Sequence, residues 1–179
     1  MKNRLLLILL VSITFANAQS EITNAKLSEI KSQVGKQSLK FKDSLTKTND
    51  GSDLPMDIEF KTDVYRIEKL ADKKVEIDYT TSGMTKAIVE LNNDYDKLLN
   101  KYYAILMKKL QAKDQEKLKE AQRNWIKFRD SEIQVIGIVS KTEYSGGGTI
   151  QSNIMAGRIS DLTKNRLYII KEHLNQCVN

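Results

Sequence analysis

The sequence predicts an all-α protein: an antiparallel bundle of three long helices with a partly helical N-terminal extension. Pro55 is the only proline in 179 residues, so little interrupts a helix along most of the chain. Apolar residues also recur at alternating spacings of three and four over long stretches of the C-terminal half. This spacing places them on one face of an α-helix, where they can form a shared core.

The N-terminal residues predict a secretory signal peptide. Two basic residues precede an apolar run over 5–15, and the small residues of Ala16-Asn17-Ala18 form a cleavage pattern. The run is shorter than the roughly 20 residues of a transmembrane helix. We therefore expect residues 1–18 to be removed, which gives a periplasmic or secreted protein that begins near Gln19. Loss of the two basic residues lowers the net charge from +6 to about +4.

Residues 19–80 are predicted to form an extension of mixed structure. Its first half has helical spacing that is broken near Gly35, and residues 49–53 have the composition of a turn. Apolar and acidic residues alternate over 58–60, which favours a brief extended segment. Asp63 is then placed to cap one more short helix.

Residues 81–179 are predicted to form the main domain, with three helices near 85–110, 114–140 and 150–174. Short connections make consecutive helices antiparallel. Asp114 can cap the second helix, and glycines disfavour helix in the loop before the third. The first helix carries its apolar residues on a single face: Ile88, Leu91, Tyr95, Leu98, Tyr102 and Ile105.

The inner faces of the second and third helices follow from the same spacing. Trp125 and Phe128 are predicted to face the core. Arg129 and Asp130 lie about 100 degrees apart on the helix, so we expect each to find a partner on another element. Arg166 lies on the predicted inner face of the third helix and is the natural partner of Asp130. The other residues of that face are Met155, Ile159, Leu162, Ile169 and His173.

The titratable residues give little support for catalysis. His173 is the only histidine, and its position on an apolar face favours a packing role over acid–base chemistry. The sequence has no cluster of histidine and cysteine that could hold zinc or iron. We therefore expect a protein that is not an enzyme, with no catalytic residue, cofactor or metal site. Cys177 is the only cysteine, so it is either an incidental thiol or the source of an intermolecular disulfide.

Positive charge is concentrated between Lys101 and Arg129, where nine cations stand against three acidic residues. An exported protein does not normally meet nucleic acid, so the anions within reach are lipid headgroups, wall polymers and acidic clefts of proteins. Arg123 and Lys127 are the candidate contacts. A solubilising face without any partner explains the same charges equally well.

The loop before the third helix is the second candidate binding surface. Its glycines follow no predicted strand and no Walker lysine accompanies them, so a phosphate-binding loop is not indicated. They form an exposed tip whose backbone N–H groups could dock on a partner, although a plain connector is an equally good interpretation. The candidate residues of this tip are Tyr144, Ser145, Gly146, Gly147, Gly148 and Thr149.

The run LKEAQRNWIKFRD, residues 118–130, together with its flanks resembles the LprI-like family of small exported bacterial domains, which are named for a lysozyme-inhibiting lipoprotein. The resemblance extends over residues 81–174, and Gly147-Gly148-Thr149 follows the family pattern. It identifies a structural motif of eight positions: Asn100, Tyr103, Gln122, Trp125, Phe128, Arg129, Asp130 and Arg166.

The resemblance implies a non-enzymatic protein that inhibits a lysozyme or another cell-wall hydrolase by protein–protein contact. Family members commonly carry cysteines where this chain has Ala87, Ile133 and Arg158, so its helices must stay together without those disulfides. A charge of about +4 disfavours long-range attraction to basic lysozymes. The tip or the basic hairpin could still place donors at the two catalytic carboxylates of a muramidase. The alternative function is an envelope-binding module that uses the basic hairpin to hold anionic lipid or wall polymer.

Overall fold

The structure is a computed structural model that describes residues 22–177, and the predicted signal peptide lies outside this range. Within it the fold is all-α, as predicted, and contains no strand. The predicted bundle of three long helices is not confirmed, because the described residues form five long helices and one short one. The helices are α1 Asn24–Thr48, α2 Pro55–Ile77, α3 Thr81–Lys109, α4 Ala112–Val139, α5 Thr142–Ser145 and α6 Gln151–Gln176.

The N-terminal part is more regular than the sequence indicates. α1 runs through Gly35 without a break, so the predicted interruption is wrong. The predicted extended segment is also wrong, because Ile58 and Phe60 are both buried inside α2. Pro55 occupies the first turn of α2, where its missing N–H costs nothing, and the backbone N–H of Leu54 donates to the Asp57 carboxylate at 2.9 Å.

The core lies between α2, α3 and α6. α3 and α6 form the most extensive helix pair, α2 packs on α3, and α1 packs on α2. α4 contributes a single residue to the cluster of buried apolar side chains. Its members are Phe60, Val64, Ile67, Tyr95, Leu98, Leu99, Tyr102, Leu106, Leu118, Leu167, Ile170 and Leu174.

The buried face of α6 differs from the predicted one. Ile169 and His173 are exposed, whereas Leu167, Ile170 and Leu174 are buried. Arg166 is buried as predicted. The difference arises because α6 also buries the polar residues Ser160, Thr163 and Lys171. A pattern of apolar residues cannot indicate that polar residues are buried.

Buried polar contacts fix α2 against α3. The Asp63 carboxylate accepts hydrogen bonds from Lys101 Nζ at 2.6 Å and from the Tyr102 hydroxyl at 3.0 Å. Burial raises the pKa of Tyr102, and the Asp63 charge raises it further. Burial alone would lower the pKa of Lys101, but hydrogen bonds to Asp63 and Glu59 raise it above its ordinary value. Contacts of this kind fix helix register more than they add net stability.

A second polar contact joins α2 to both α3 and α6. The Glu68 carboxylate accepts from the Tyr95 hydroxyl at 2.5 Å and from Lys164 Nζ at 2.9 Å. Lys171 of α6 is buried and donates to Asp57. Residues 55–77 therefore share one core and several polar contacts with α3 and α6.

α4 is held far less firmly. Of its 28 residues only Leu118 and Ile136 are buried, and its packing is mainly against α6. Between residues 22 and 177, none of the helices is both long enough and apolar enough to cross a membrane.

Candidate functional site

Trp125 is the centre of the contact between α4 and the rest of the bundle. The side chain is partly buried and packs against the core cluster, as predicted. The guanidinium carbons of Arg129 and Arg166 lie 5.2 and 5.9 Å from the centre of its ring. Both distances are within the range of cation–π attraction, so the indole links a cation of α4 to a cation of α6.

Arg166 is buried, and no carboxylate among residues 22–177 pairs with it. Only 8% of its surface is exposed, Nε donates to the Gln122 side-chain oxygen at 3.0 Å, and one terminal nitrogen has no hydrogen-bond partner. Burial lowers the pKa of Arg166, and the Tyr103 side chain opposes that shift. Cation–π attraction and one neutral acceptor therefore replace the ion pair that a buried arginine usually makes.

The predicted ion pair between Asp130 and Arg166 is wrong. Asp130 is exposed and accepts from Arg129, at 3.0 Å from Nε and 2.8 Å from a terminal nitrogen. The expectation that these two neighbours would not pair is therefore wrong as well. It considered only the directions of the two Cβ atoms, whereas a long arginine side chain at a helix surface can reach sideways.

The predicted burial of Phe128 is also wrong, because 54% of the side chain is exposed. At 3.6 residues per turn, Leu118 and Ile136 lie on one line along α4, and Phe128 lies about 80 degrees from that line. The apolar residues of α4 do have helical spacing, but the neighbouring helices cover only one edge of the apolar face.

The eight motif positions are therefore not all in one place. Tyr103, which packs against the core, joins the cluster that surrounds Trp125. Asn100 is exposed and donates to Asp96 at 3.1 Å. The cluster contains five motif residues, Tyr103, Gln122, Trp125, Arg129 and Arg166, whereas Asn100, Phe128 and Asp130 lie at the surface.

The glycine tip is an ordered turn that follows α5. Gly146, Gly147 and Gly148 have φ angles of 76°, 78° and 91°. This left-handed backbone conformation is unfavourable for residues other than glycine. The Ser145 hydroxyl donates to the backbone carbonyls of Ser140 and Lys141, which follow α4, and it accepts from Gly147 N–H at 3.1 Å. Tyr144 is 66% exposed, the largest value among the exposed apolar side chains.

The tip lies beside the start of α3. The Thr85 hydroxyl is 3.1 Å from the Ser152 hydroxyl and donates to Asn153. The two segments line an open cleft that the sequence did not indicate, because its two sides are far apart in the chain. Six of the eight lining residues carry a hydroxyl group, and the full set is Thr80, Thr81, Ser82, Thr85, Lys86, Gly148, Thr149 and Ser152.

Arg123 and Lys127 are exposed on α4 but do not join the tip. At 1.5 Å per residue they lie about 25 and 20 Å from the end of α4 at Ser140. Some neighbouring cations are already paired on the helix surface, Lys117 with Glu120 at 3.0 Å and Lys119 with Glu116 at 2.6 Å. The structure therefore contains two separate candidate surfaces, the tip with its cleft and the basic part of α4.

These features define an all-α protein with two separate exposed candidate surfaces. Within residues 22–177 no group of three or more His, Cys, Asp or Glu side chains is placed to hold a metal ion. The predicted resemblance to the LprI-like family is confirmed: the family model described as lysozyme inhibitor LprI matches residues 71–169. The match covers more than half of the chain, so the chain belongs to this family.

The match begins in the last turns of α2 and ends in α6, so it includes the Trp125 cluster, the tip and the cleft. An uncharacterized protein of Rhizobium meliloti (strain 1021) is 29% identical over 97 residues, which cover 47% of this chain and 66% of that relative. The chain thus spans slightly less than two thirds of the relative's length. No solved structure matches the chain significantly.

Proposed function

We propose that this protein is exported by its N-terminal signal peptide and inhibits a lysozyme or another cell-wall hydrolase by direct contact. The observation that carries the proposal is the match of residues 71–169 to the lysozyme inhibitor family. The tip lies inside the matched range and presents an exposed aromatic ring on an ordered turn. Aromatic side chains in such positions are typical anchors of protein interfaces.

The tip and its cleft provide the chemistry that a muramidase active site would recognise. Such a site holds two carboxylates on either side of the scissile bond. Tyr144 and Thr149 carry hydroxyl donors, and Lys86 adds a cation on the neighbouring wall of the cleft. Ser145 is less available, because its hydroxyl already donates within the turn. Insertion of these donors would block the carboxylates from substrate.

The net charge restricts the target. A mature protein with a charge of about +4 is repelled at long range by a strongly basic enzyme, and salt screens that repulsion. A hydrolase with an acidic cleft is therefore the favoured target. If the target is a basic lysozyme, association should become faster as salt is added.

The test is a titration of the mature chain, residues 19–179, into lysozymes of several types while the rate of cell-wall lysis is measured. We expect at least one enzyme to slow in proportion to the added protein. Tyr144→Ala should weaken inhibition at least tenfold, whereas Leu39→Ala, at an equally exposed position on α1, should not. Full lysis rates with every enzyme would contradict the proposal.

A second function, binding of an anionic envelope surface, has support from the basic half of α4. Arg123 and Lys127 are exposed there near the partly exposed Ile126, as in helices that lie on membrane surfaces. Flotation with anionic vesicles at low and high salt tests this function. Absence of binding at low salt, or binding that high salt leaves unchanged, would rule it out.

A further inference from the structure

A groove runs along α2, between Phe41 of α1 and the last turns of α6. Its volume is about 490 Å³, which is within the range of small-molecule sites. The residues that α2 contributes are spaced by three and four, from Asp57 to Glu68, so they lie on one face of that helix. We call this cavity the α2 groove. Apart from Tyr168, its lining lies outside residues 71–169, the range that the family model matches.

Aromatic side chains form both sides of the α2 groove. Four of its eleven lining residues are aromatic, although aromatic residues make up 7% of the chain. On one side Phe41 stacks on Tyr65, with ring centres 4.3 Å apart. On the other side Phe60 and Tyr168 meet edge to face, with ring centres 5.3 Å apart. Val64 is the one aliphatic residue among the described residues of the lining. The lining therefore differs from the aliphatic groove that takes up the apolar face of a helix.

The charges of the α2 groove are largely balanced within the chain. Burial alone would raise the pKa of Asp57, but hydrogen bonds from Lys171 and from the Leu54 backbone lower it below its ordinary value. The carboxylate is therefore ionised and its charge is neutralised locally, so the groove gives a charged ligand little net attraction. Three ion pairs hold the charged side chains of the lining: Lys171 with Asp57, Lys164 with Glu68, and Lys61 with Asp53.

A lysine of the chain already occupies the position over a ring where a cation would bind. Lys171 Nζ lies 5.7 Å from the centre of the Phe60 ring, which is within the range of cation–π attraction. A cationic ligand at that ring would be repelled by the ammonium group. A neutral ligand that forms hydrogen bonds avoids this repulsion.

We propose that the α2 groove binds a neutral oligosaccharide. A sugar ring presents C–H groups on its faces and hydroxyl groups at its edge. The faces match the apolar surface of aromatic rings, and the hydroxyl groups can donate to the carboxylates of the groove and accept from the Asn175 amide. Hydrogen bonds to ionised groups are stronger than those between neutral groups.

The polar end of the α2 groove is already ordered for such a ligand. Lys171 is buried and donates to both Asp57 and Asn175, so these side chains keep their positions without a ligand. Ordering of this kind lowers the entropy cost of binding. From Asp57 to Glu68 the groove extends about 16 Å along α2 at 1.5 Å per residue, which suits a chain of sugar units better than a single one.

The first experiment titrates the mature chain, residues 19–179, with two neutral ligands, the tetramers of N-acetylglucosamine and of glucose, in a calorimeter. We expect at least one of them to bind with a dissociation constant below about 1 mM. The glucosamine tetramer carries an amine on each ring, and in a slightly acidic buffer, where the amines are charged, it should bind at least tenfold more weakly. Absence of binding by both neutral tetramers would overturn the proposal. Tighter binding of the cationic tetramer, or of an alkyl alcohol such as octanol, would overturn it as well.

The second experiment locates the bound tetramer with variants at exposed positions, and thermal unfolding of each variant confirms that it is folded. Tyr168 is 40% exposed, and Tyr168→Ala should weaken binding at least tenfold because a wall of the groove is lost. Asn175→Ala should weaken it about fivefold, the loss of one hydrogen bond. Tyr79→Ala, at a 57% exposed tyrosine outside the groove, should bind as wild type does. Equal binding by the Tyr168 and Tyr79 variants would overturn the proposal.

The saccharide site is independent of the proposed inhibition, since calorimetry with purified tetramers needs no hydrolase. A chain that binds a neutral tetramer and leaves every lysozyme active would retain this inference and lose the proposed function. A chain that inhibits a lysozyme and binds neither neutral tetramer would have the opposite outcome.

Discussion

The core formed by α2, α3 and α6 and the outer helix α4 are built from similar lengths of chain but are held in different ways. α3 has 29 residues, of which six are buried, and polar contacts fix it to both neighbours. α4 has 28 residues, of which two are buried, Leu118 and Ile136, and these two side chains and the tryptophan cluster fix it. Most of the buried side chains therefore lie in α2, α3 and α6, whereas α4 leaves most of its surface exposed.

A cavity in the core should have the largest effect on the free energy of unfolding. Leu167 is fully buried in α6, so Leu167→Ala should lower the free energy of unfolding by about 2–5 kcal/mol. Ile138→Ala removes a similar side chain from an exposed site on α4 and should cost below about 0.5 kcal/mol. Urea denaturation of both variants measures the two values. Equal losses would mean that α4 is as firmly packed as the core.

The tryptophan cluster should have the next largest effect. Trp125→Ala removes the ring that packs on the core and contacts both arginines, and the side chain is only partly buried. We expect a loss of about 2–3 kcal/mol, below the range for a fully buried tryptophan. In this variant the rate of hydrogen exchange should rise in α4, while the amides of α3 remain protected. Uniform acceleration along the chain would show that the cluster supports the whole fold.

The hydrogen bond between Tyr102 and Asp63 should matter in a pH-dependent way. Tyr102→Phe should cost about 1 kcal/mol at neutral pH. Burial and Asp63 raise the pKa of Tyr102, so its contribution is present below the unfolded tyrosine pKa of about 10 and is lost as the pH rises through its folded pKa. The difference in stability between wild type and variant should therefore shrink in alkali. Tyr79→Phe at an exposed position serves as the control and should show no such convergence.

The surface pair on α4 should have the smallest effect. Arg129 and Asp130 pair at the helix surface, where 55% of the Asp130 side chain is exposed. Asp130→Asn should change stability by under about 0.5 kcal/mol, because solvent screens exposed pairs. Thermal unfolding of wild type and variant at low and high salt measures this change in stability. A loss of unfolding free energy above about 1 kcal/mol would mean that Asp130 holds Arg129 in its orientation over Trp125.

The helices of the C-terminal half could be predicted because their pattern is long. The predicted helix 85–110 corresponds to Thr81–Lys109, and the apolar spacing over that length fits no strand. The predicted extended segment at 58–60 failed because three residues cannot distinguish a period of 2 from a period of 3.6. Val64, Ile67 and Leu70 have helical spacing and lie in the same helix, α2. Extension of their pattern towards the N-terminus would have predicted a helix that begins at Pro55.

The candidate site could be predicted only in part. The motif drew attention to Gln122, Trp125 and Arg166, which the structure brings together. It could not show that Phe128 is exposed, since an apolar face has the same pattern whether its own chain or another chain covers it. The cleft beside the tip was missed because Thr85 and Ser152 meet only through the antiparallel packing of α3 and α6.

Hydrogen exchange of the protein, resolved by helix, is the most direct test of the difference between α4 and the core helices. Amides of α3 and α6 should exchange only by global unfolding, whereas amides of α4 should exchange through a separate opening of lower free energy. Protection of α4 equal to that of α3 would contradict the account, because it would mean that α4 is a full member of the core and not an outer helix with few buried side chains.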